Sequence, residues 1–359
     1  MSQIHTAVLL VNLGTPDSPR TPDVRKYLRQ FLMDGRVIDV PYWQRFLLVK
    51  GIIAPFRAPK SAKEYQKLWT ERGSPLLFHS QDAAALLQTA LGNEYAVKLG
   101  MRYQSPSIES ALDELMSHNP KRLVVLPMFP QYASSTTGSA NEEVMRLLKK
   151  RLLIPQVHFI DSYAEHPAFI EAFAAIGKAH LASKQYDHVL FTYHGLPERH
   201  LKKENNACEY GSCCAQLTPS NRLCYRAQCF ATTRKLVKMM GLKEGDYTVS
   251  FQSRLGKNPW IKPYTDLVID ELAAKGVKRI LAFSPSFTAD CLETVIEIGE
   301  TYSEQFIEKG GEHWQLVESL NNHPLWIKTL KDLVLDIAPQ APDASHSHKT
   351  LETSVQHTL

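Results

Sequence analysis

The sequence predicts an α/β fold of two Rossmann-like lobes, each a four-stranded parallel sheet flanked by helices, with a cleft between them. Three observations lead there. Short, unbroken apolar runs recur along the chain, as strands do when both faces of a sheet are covered. Helical patterns separate most of these runs, the alternation that parallel sheets require. The runs also fall into two sets of four. With 359 residues the chain can bury one large core or two of ordinary size.

In the first set, AVLLVNL (7–13), YAVKLGM (95–101), KRLVVLPMF (121–129) and PQVHFID (155–161) read as strands. The second set is DHVLFTY (187–193), DYTVSFQ (246–252), KRILAFS (278–284) and HWQLVES (313–319). Helices are expected at 80–91, 106–118, 138–152, 167–182, 261–275 and 289–308. VVLPMFPQYASSTTGSANEEV and ILAFSPSFTADCLETVIEI share the order strand, Pro-x-Phe, polar loop, helix, an internal echo of two related lobes. The lobes divide as 1–165, with an apolar lip within 41–75, and 166–337, with a cysteine-rich insertion at 201–229. The tail 338–359 has no core-forming pattern and is expected to be disordered.

Composition is that of a globular protein, 44% apolar and 22% charged. A net charge of +4 without any basic run excludes an extended nucleic-acid footprint. The N-terminus MSQIHTAVLLVNLG lacks a basic leader and runs straight into a strand, so no signal peptide is expected. No apolar run reaches the ~18 residues of a membrane span. The expected location is the cytoplasm, with the lip as the one segment suited to a membrane surface.

In doubly wound sheets ligands bind beyond the carboxyl ends of the strands. Residues following each strand therefore come under scrutiny: 12–16, Arg102 and Tyr103, 130–132, 193–195, 252–254 and 284–289. The loop GTPDSP is no dinucleotide fingerprint, and SSTTGS (134–139) lacks the lysine of a P-loop and reads as a helix cap. His194 ends an apolar strand and reads either as a structural histidine or as a site residue; His200, in ERHLKKEN, reads as solvated.

On a helix at 100° per residue, Asp290, Glu293, Glu297, Glu300, Glu304 and Glu308 form one stripe opposite Leu292, Val295, Ile296 and Ile298. The stripe is roughly 27 Å long. No Lys or Arg lies between Ala289 and Glu308, although like charges at i,i+4 repel. A solvated face and a cation path both fit.

Residues 41–69 (PYWQRFLLVKGIIAPFRAPKSAKEYQKLW) are apolar and aromatic with interspersed cations, as in a core helix or in a lip touching a membrane or an apolar substrate. Pro55 and Pro59 argue against one continuous buried helix. Five of the six cysteines, Cys208, Cys213, Cys214, Cys224 and Cys229, crowd into 208–229. Their crowding points to metal binding rather than disulfides; the first three sit in a setting too polar for a core, while Cys224 and Cys229 begin a helix-like run for which inward packing is the alternative. Cys-x₄-Cys spacing suits an iron–sulfur cluster held by four of the five; zinc, and no metal, remain alternatives.

Six motifs then carry a family resemblance: LLVNLGTP (9–16), GMRYQSPSIESAL (100–112), PMFPQYASSTTGS (127–139), YHGLP (193–197), FQSRLGKNPWIKPYTD (251–266) and DCLETVIEI (290–298). In order and in register with the strands, they resemble ferrochelatase, which inserts ferrous iron into protoporphyrin IX to make haem. The resemblance runs from about residue 6 to 335. It implies His194 as the active-site histidine, facing Glu293, both handling Fe²⁺ or protons. Asp290, Glu297 and Glu300 become a proton or metal path. Leu13, Arg57, Tyr65, Ser74, Arg102, Tyr103 and Trp260 look like porphyrin-binding positions. Cys291 stands where animal members have a histidine, so that residue's role does not carry over. The internal cysteines resemble a bacterial subgroup with a [2Fe–2S] cluster. Coproporphyrin III or sirohydrochlorin as substrate, or a non-catalytic haem or iron sensor, are the rival readings. The apolar lip of Trp43, Phe46, Leu47, Ile52, Ile53 and Phe56 favours the less polar protoporphyrin.

Overall fold

A computed structural model describes residues 4–204, 208, 211–254, 256 and 258–339. It contains two four-stranded parallel sheets. In the first, β1 (Thr6–Gly14), β2 (Tyr95–Tyr103), β3 (Arg122–Pro127) and β4 (Gln156–Phe159) lie in the order β2-β1-β3-β4. In the second, β5 (His188–His194), β6 (Tyr247–Gln252), β7 (Arg279–Phe283) and β8 (His313–Leu316) repeat that arrangement as β6-β5-β7-β8. All eight expected strands form. Their apolar runs are covered on both faces: β1 is buried along almost its whole length.

The carboxyl ends of the central strands need close backbone approach. Gly14 has φ +108°, and a Cβ there would stand 1.9 Å from the carbonyl oxygen of Tyr103. Only glycine lets β1 and β2 end side by side. Beyond β2, Ser107 caps helix Ile108–Met116 by accepting from the Ser110 N–H. Helix Pro324–Ile337, last in the chain order, returns to the first sheet: Trp326 and Leu330 share a core with Val8 and Leu10. Of the tail 338–359, residues 340–359 lie outside the described residues. Ala338 is buried, and its carbonyl accepts from the Tyr95 hydroxyl (2.7 Å).

Four local expectations need correction. The lip is one continuous helical run despite its prolines, winding as α (Tyr42–Phe46), π (Leu47–Ile53) and α again (Ala54–Leu68). Pro55 and Pro59 both lie within this run, and of its last segment only the Ala54, Ala58, Ala62, Tyr65, Leu68 face is buried. SSTTG (Ser134–Gly138) is wound into a π-helix rather than capping the next helix. The acidic helix opens as a π-helix (Glu293–Thr301) and turns α only at Tyr302–Glu308. His200 is buried rather than solvated, its Nε2 3.3 Å from Asp39. Arg199 and Lys203 bind the same carboxylate, tying the cysteine-bearing insertion to the first lobe. No helix among the described residues is long and apolar enough to cross a membrane.

Candidate active site

Topology brings three side chains to the carboxyl edge of the second sheet. His194 ends β5, Ser253 follows β6, and Glu297 rises from the helix after β7; β6 and β7 both flank β5. Gly195 fixes the histidine. A Cβ at Gly195 would lie 2.7 Å from the Gln252 carbonyl and 3.3 Å from Trp260, so only glycine fits under the indole. The Gly195 N–H donates to that same carbonyl (2.8 Å), while its own oxygen lies 2.7 Å from His194 Nδ1. A carbonyl can only accept, so Nδ1 carries a proton, and Nε2 is the nitrogen that can offer a lone pair. Tyr225 donates to the His194 carbonyl (2.8 Å), holding the strand end from below.

Glu297 accepts from Ser253 Oγ (2.5 Å) and from the Tyr302 hydroxyl (3.1 Å). Burial pushes its pKa up, and Glu293 adds to the rise. Ser253, the His194 charge and Tyr302 oppose it without cancelling it. Ser253 has φ +63°, a left-handed conformation that costs a non-glycine residue about 1 kcal/mol. Its hydroxyl is thus held in place by a backbone that sequence preference would avoid.

Glu293 is half-buried one turn earlier, within electrostatic reach of Tyr27, Tyr65 and Cys291. Tyr65 is buried, and its pKa is pushed up by that burial and by Glu293. Glu300 is exposed, 3.9 Å from Lys67 of the lip, the cation that the helix itself lacks. Glu304 and Glu308 are exposed. Asp290 points elsewhere: its carboxylate accepts from Asn321 Nδ2 (2.8 Å) and the Ser319 N–H (3.1 Å) and anchors the helix start. The acids therefore grade from half-buried (Glu293, Glu297) to open (Glu300).

The opposite wall comes from the first lobe. Leu13, Tyr65 and Tyr103 join one apolar cluster with Leu292, Val295 and Ile296 of the acidic helix. Ser74 is buried and accepts from Thr15 Oγ1 (2.9 Å). Arg57 is exposed on the lip, and Trp260 lies against Gly195. Arg102 and Tyr103 are committed to Asp34: guanidinium and phenol each donate to its Oδ2 at 2.8 Å, and Ser139 Oγ does so at 2.5 Å. Burial would raise the Asp34 pKa. The bonds from Ser139, the Arg36 N–H and Tyr103, with the Arg102 charge, outweigh it and bring it below the usual carboxylate range. Asp34 and Tyr302 were not among the sequence candidates, and Ser253 was only one of the residues following a strand, with no role given. Asp34, in MDGR, carries no signal.

The thiols form a second cluster. Cys208 and Cys213 lie 3.8 Å apart, Cys213 and Cys214 3.9 Å, and Cys214 is hydrogen-bonded to Cys224. The Cys224 bond, with Arg226 beside it, holds the Cys214 thiol down at about 5 although burial opposes it. Cys229 is separate, buried on helix Tyr225–Met240 within the main core. Among the described residues no three His, Cys, Asp or Glu side chains enclose a single metal ion. Tetrahedral sites with ~2.3 Å metal–sulfur bonds space their sulfurs about 3.8 Å apart, the separation of both thiol pairs here.

The chain matches the ferrochelatase family over residues 5–337. It belongs to that family. Ferrochelatase of Legionella pneumophila strain Lens is 48% identical over 331 residues, 92% of this chain and 99% of the relative. Ferrochelatase of Coxiella burnetii is 46% identical over 328 residues, 90% of this chain and 91% of the relative. The fold is also that of SirB from Bacillus subtilis with Fe³⁺ (TM-score 0.51, 13% identity, 92% of this chain and 95% of that one). A sirohydrochlorin chelatase SirB with cobalt gives 0.52 at 11% identity, over 91% of this chain and 93% of that one. As a ferrochelatase, the chain is a lyase of haem synthesis that inserts iron into a porphyrin.

Proposed function

We propose that the porphyrin is protoporphyrin IX and that His194 takes its pyrrole protons while the acidic helix handles Fe²⁺. The observation that carries this reading is the His194 Nδ1 contact with the Gly195 carbonyl, which leaves Nε2 as an acceptor beside Glu297. Insertion replaces two pyrrole N–H protons by one Fe²⁺ and releases two H⁺. A base with a lone pair aimed at the ring is therefore required. Imidazole and carboxylate suit Fe²⁺ without trapping it. Glu300 at the open end, then Glu297 and Glu293, form the metal or proton path, with Asp290 holding the first turn. An apolar macrocycle suits the apolar faces that lip and helix turn to each other. Leu13, Tyr65 and Trp260 would line it, and Arg57 and Ser74 would sit near the propionates. Arg102 and Tyr103 act there as a braced wall.

The exposed lip supports the choice of the less polar porphyrin: Trp43, Leu47, Ile52 and Phe56 all stand out to solvent. With Arg45, Lys50 and Arg57 among them, the same face suits docking on a membrane surface from the cytoplasm. A [2Fe–2S] cluster would be held by Cys208, Cys213, Cys214 and Cys224, with Cys229 the surplus thiol. Such a cluster supplies one-electron redox chemistry and cross-links the insertion. Cys214→Ser should lose the visible absorbance of the purified protein and Cys229→Ser should keep it; equal loss in both would refute the assignment.

The direct test follows porphyrin fluorescence on adding Fe²⁺, with protoporphyrin IX and coproporphyrin III in parallel. His194→Ala should abolish the fall in protoporphyrin fluorescence while still binding the porphyrin. Near-normal turnover in that variant, or preference for coproporphyrin in the parent, would sink the respective part of the reading.

A further inference from the structure

The outer half of the lip has little beneath it. Within residues 42–53 only Arg45, Val49 and Ile53 escape full exposure, one inward-facing side chain per turn. Val49 and Ile53 rest on the apolar cluster of the first lobe. Arg45 grips backbone instead: its Nη1 donates to the Ile38 and Val40 carbonyls, both at 3.0 Å. Gly35 makes room for the guanidinium, since a Cβ there would stand 3.1 Å from Nη1. The two carbonyls flank Asp39. Whatever fixes Asp39 therefore fixes the start of the lip.

Asp39 is fixed from the other lobe. Arg199 donates to Oδ1 from Nε (3.0 Å) and Nη2 (2.5 Å), and Lys203 Nζ donates to Oδ2 (2.7 Å). His200 Nε2 lies 3.3 Å from Oδ1. Burial would raise the Asp39 pKa; the bonds from Arg199 and Lys203, with His200 beside them, outweigh it and hold the carboxylate ionised. All three partners stand on helix Glu198–Glu204, which opens directly after YHGLP. That stretch is pinned to the pocket wall. The Leu196 carbonyl accepts from the Ile261 N–H (2.9 Å), and the Glu198 N–H donates to the Pro259 carbonyl (3.0 Å). Trp260 lies between those two partners and against Gly195. One carboxylate thus joins the lip to the segment that carries His194 and Trp260.

We propose that Asp39 is a positioning residue for the porphyrin: through Arg45 it holds the outer lip at a set spacing from Trp260 and His194, shaping the slot before the ring arrives. This rests on the reading of lip and His194 as two sides of the porphyrin slot. A lip already in place loses less freedom when the ring binds, so the contact acts on porphyrin affinity rather than on the chemical step. The fold itself does not depend on it. Arg199 is 41% and Lys203 64% exposed, so both cations stay solvated if released.

Two readouts on the full chain test this: steady-state kinetics at saturating Fe²⁺, and backbone hydrogen exchange of the free protein followed by mass spectrometry. Asp39→Asn should raise the KM for protoporphyrin IX about tenfold or more and leave kcat within about twofold. Exchange should quicken in residues 42–53 and keep the parental rate in 54–68, which packs on the first lobe through its own buried face. Arg45→Gln should reproduce both changes. The double variant should lose no more than the worse of the two, because the residues act in series. A parental KM in Asp39→Asn, unchanged exchange at 42–53, additive losses, or faster exchange throughout the chain overturns the proposal. Near-normal turnover of His194→Ala would sink the porphyrin-site reading by itself, and the exchange at 42–53 would still decide whether Asp39 holds the lip.

Discussion

Asp34 in the first lobe and Glu297 in the second are both buried carboxylates gripped by hydroxyl donors, and they respond in opposite senses. Asp34 accepts from Ser139, Tyr103 and the Arg36 N–H, and its pKa is lowered. Glu297 accepts from Ser253 and Tyr302, and its pKa is raised. The difference is what burial meets. At Asp34 the bonds from Ser139, the Arg36 N–H and Tyr103, with the Arg102 charge added, outweigh it, whereas at Glu297 burial prevails and Glu293 adds to it. Arg102 lies 2.8 Å from Asp34, whereas the groups around Glu297 include another acid and a titratable histidine. A carboxylate paired with guanidinium stays ionised and serves as scaffold. One left without a fixed counter-charge in a buried site can take up a cation or a proton. The same contrast gives opposite linkage. The stabilisation from Asp34 is full above its unfolded pKa and is lost as pH falls through its lowered folded value. The stabilisation tied to protonated Glu297 is full below its unfolded pKa and is lost as pH rises through its raised folded value.

The largest effect expected is at Asp34. Asp34→Asn leaves the Arg102 guanidinium partly buried without its partner and should cost about 3 kcal/mol in urea unfolding. A loss below about 1 kcal/mol would mean that the network is not the brace described. A smaller and more discriminating effect belongs to Ser253. Ser253→Gly relieves the left-handed backbone and should stabilise the fold by about 1 kcal/mol. It also removes a donor that favours ionised Glu297, so the acid limb of the pH–rate profile should move to higher pH. An unmoved limb would detach Glu297 from the rate.

Much of this was legible in the sequence. All eight strands were, because strands buried on both faces write themselves as unbroken apolar runs. The placing of His194 and the acids beyond strand ends follows from the same alternation. The winding of the acidic helix was not legible, since a 100° wheel presupposes i→i+4 bonding and Glu293–Thr301 is π-helical. Asp290 sits on that wheel with Glu293 but spends its carboxylate on Asn321 and Ser319, contacts over 29 residues away. Asp34 and the burial of His200 depend likewise on partners distant in sequence, which no local pattern carries. Spacing did not tell Cys224 from Cys229, which begin the same helical run: Cys229 packs within the core, whereas Cys224 at the helix start is bonded to Cys214.

The central claim is that Glu297 is a working acid and Asp34 a structural one, and Glu297→Gln measures it most directly. Glutamine is the neutral isostere of a protonated glutamate. The variant should therefore be as stable as the parent at neutral pH or more so, and should still bind protoporphyrin IX. Its rate of Fe²⁺ insertion, followed by porphyrin fluorescence, should fall by about 100-fold or more. Near-parental insertion together with a stability loss like that of Asp34→Asn would contradict the account.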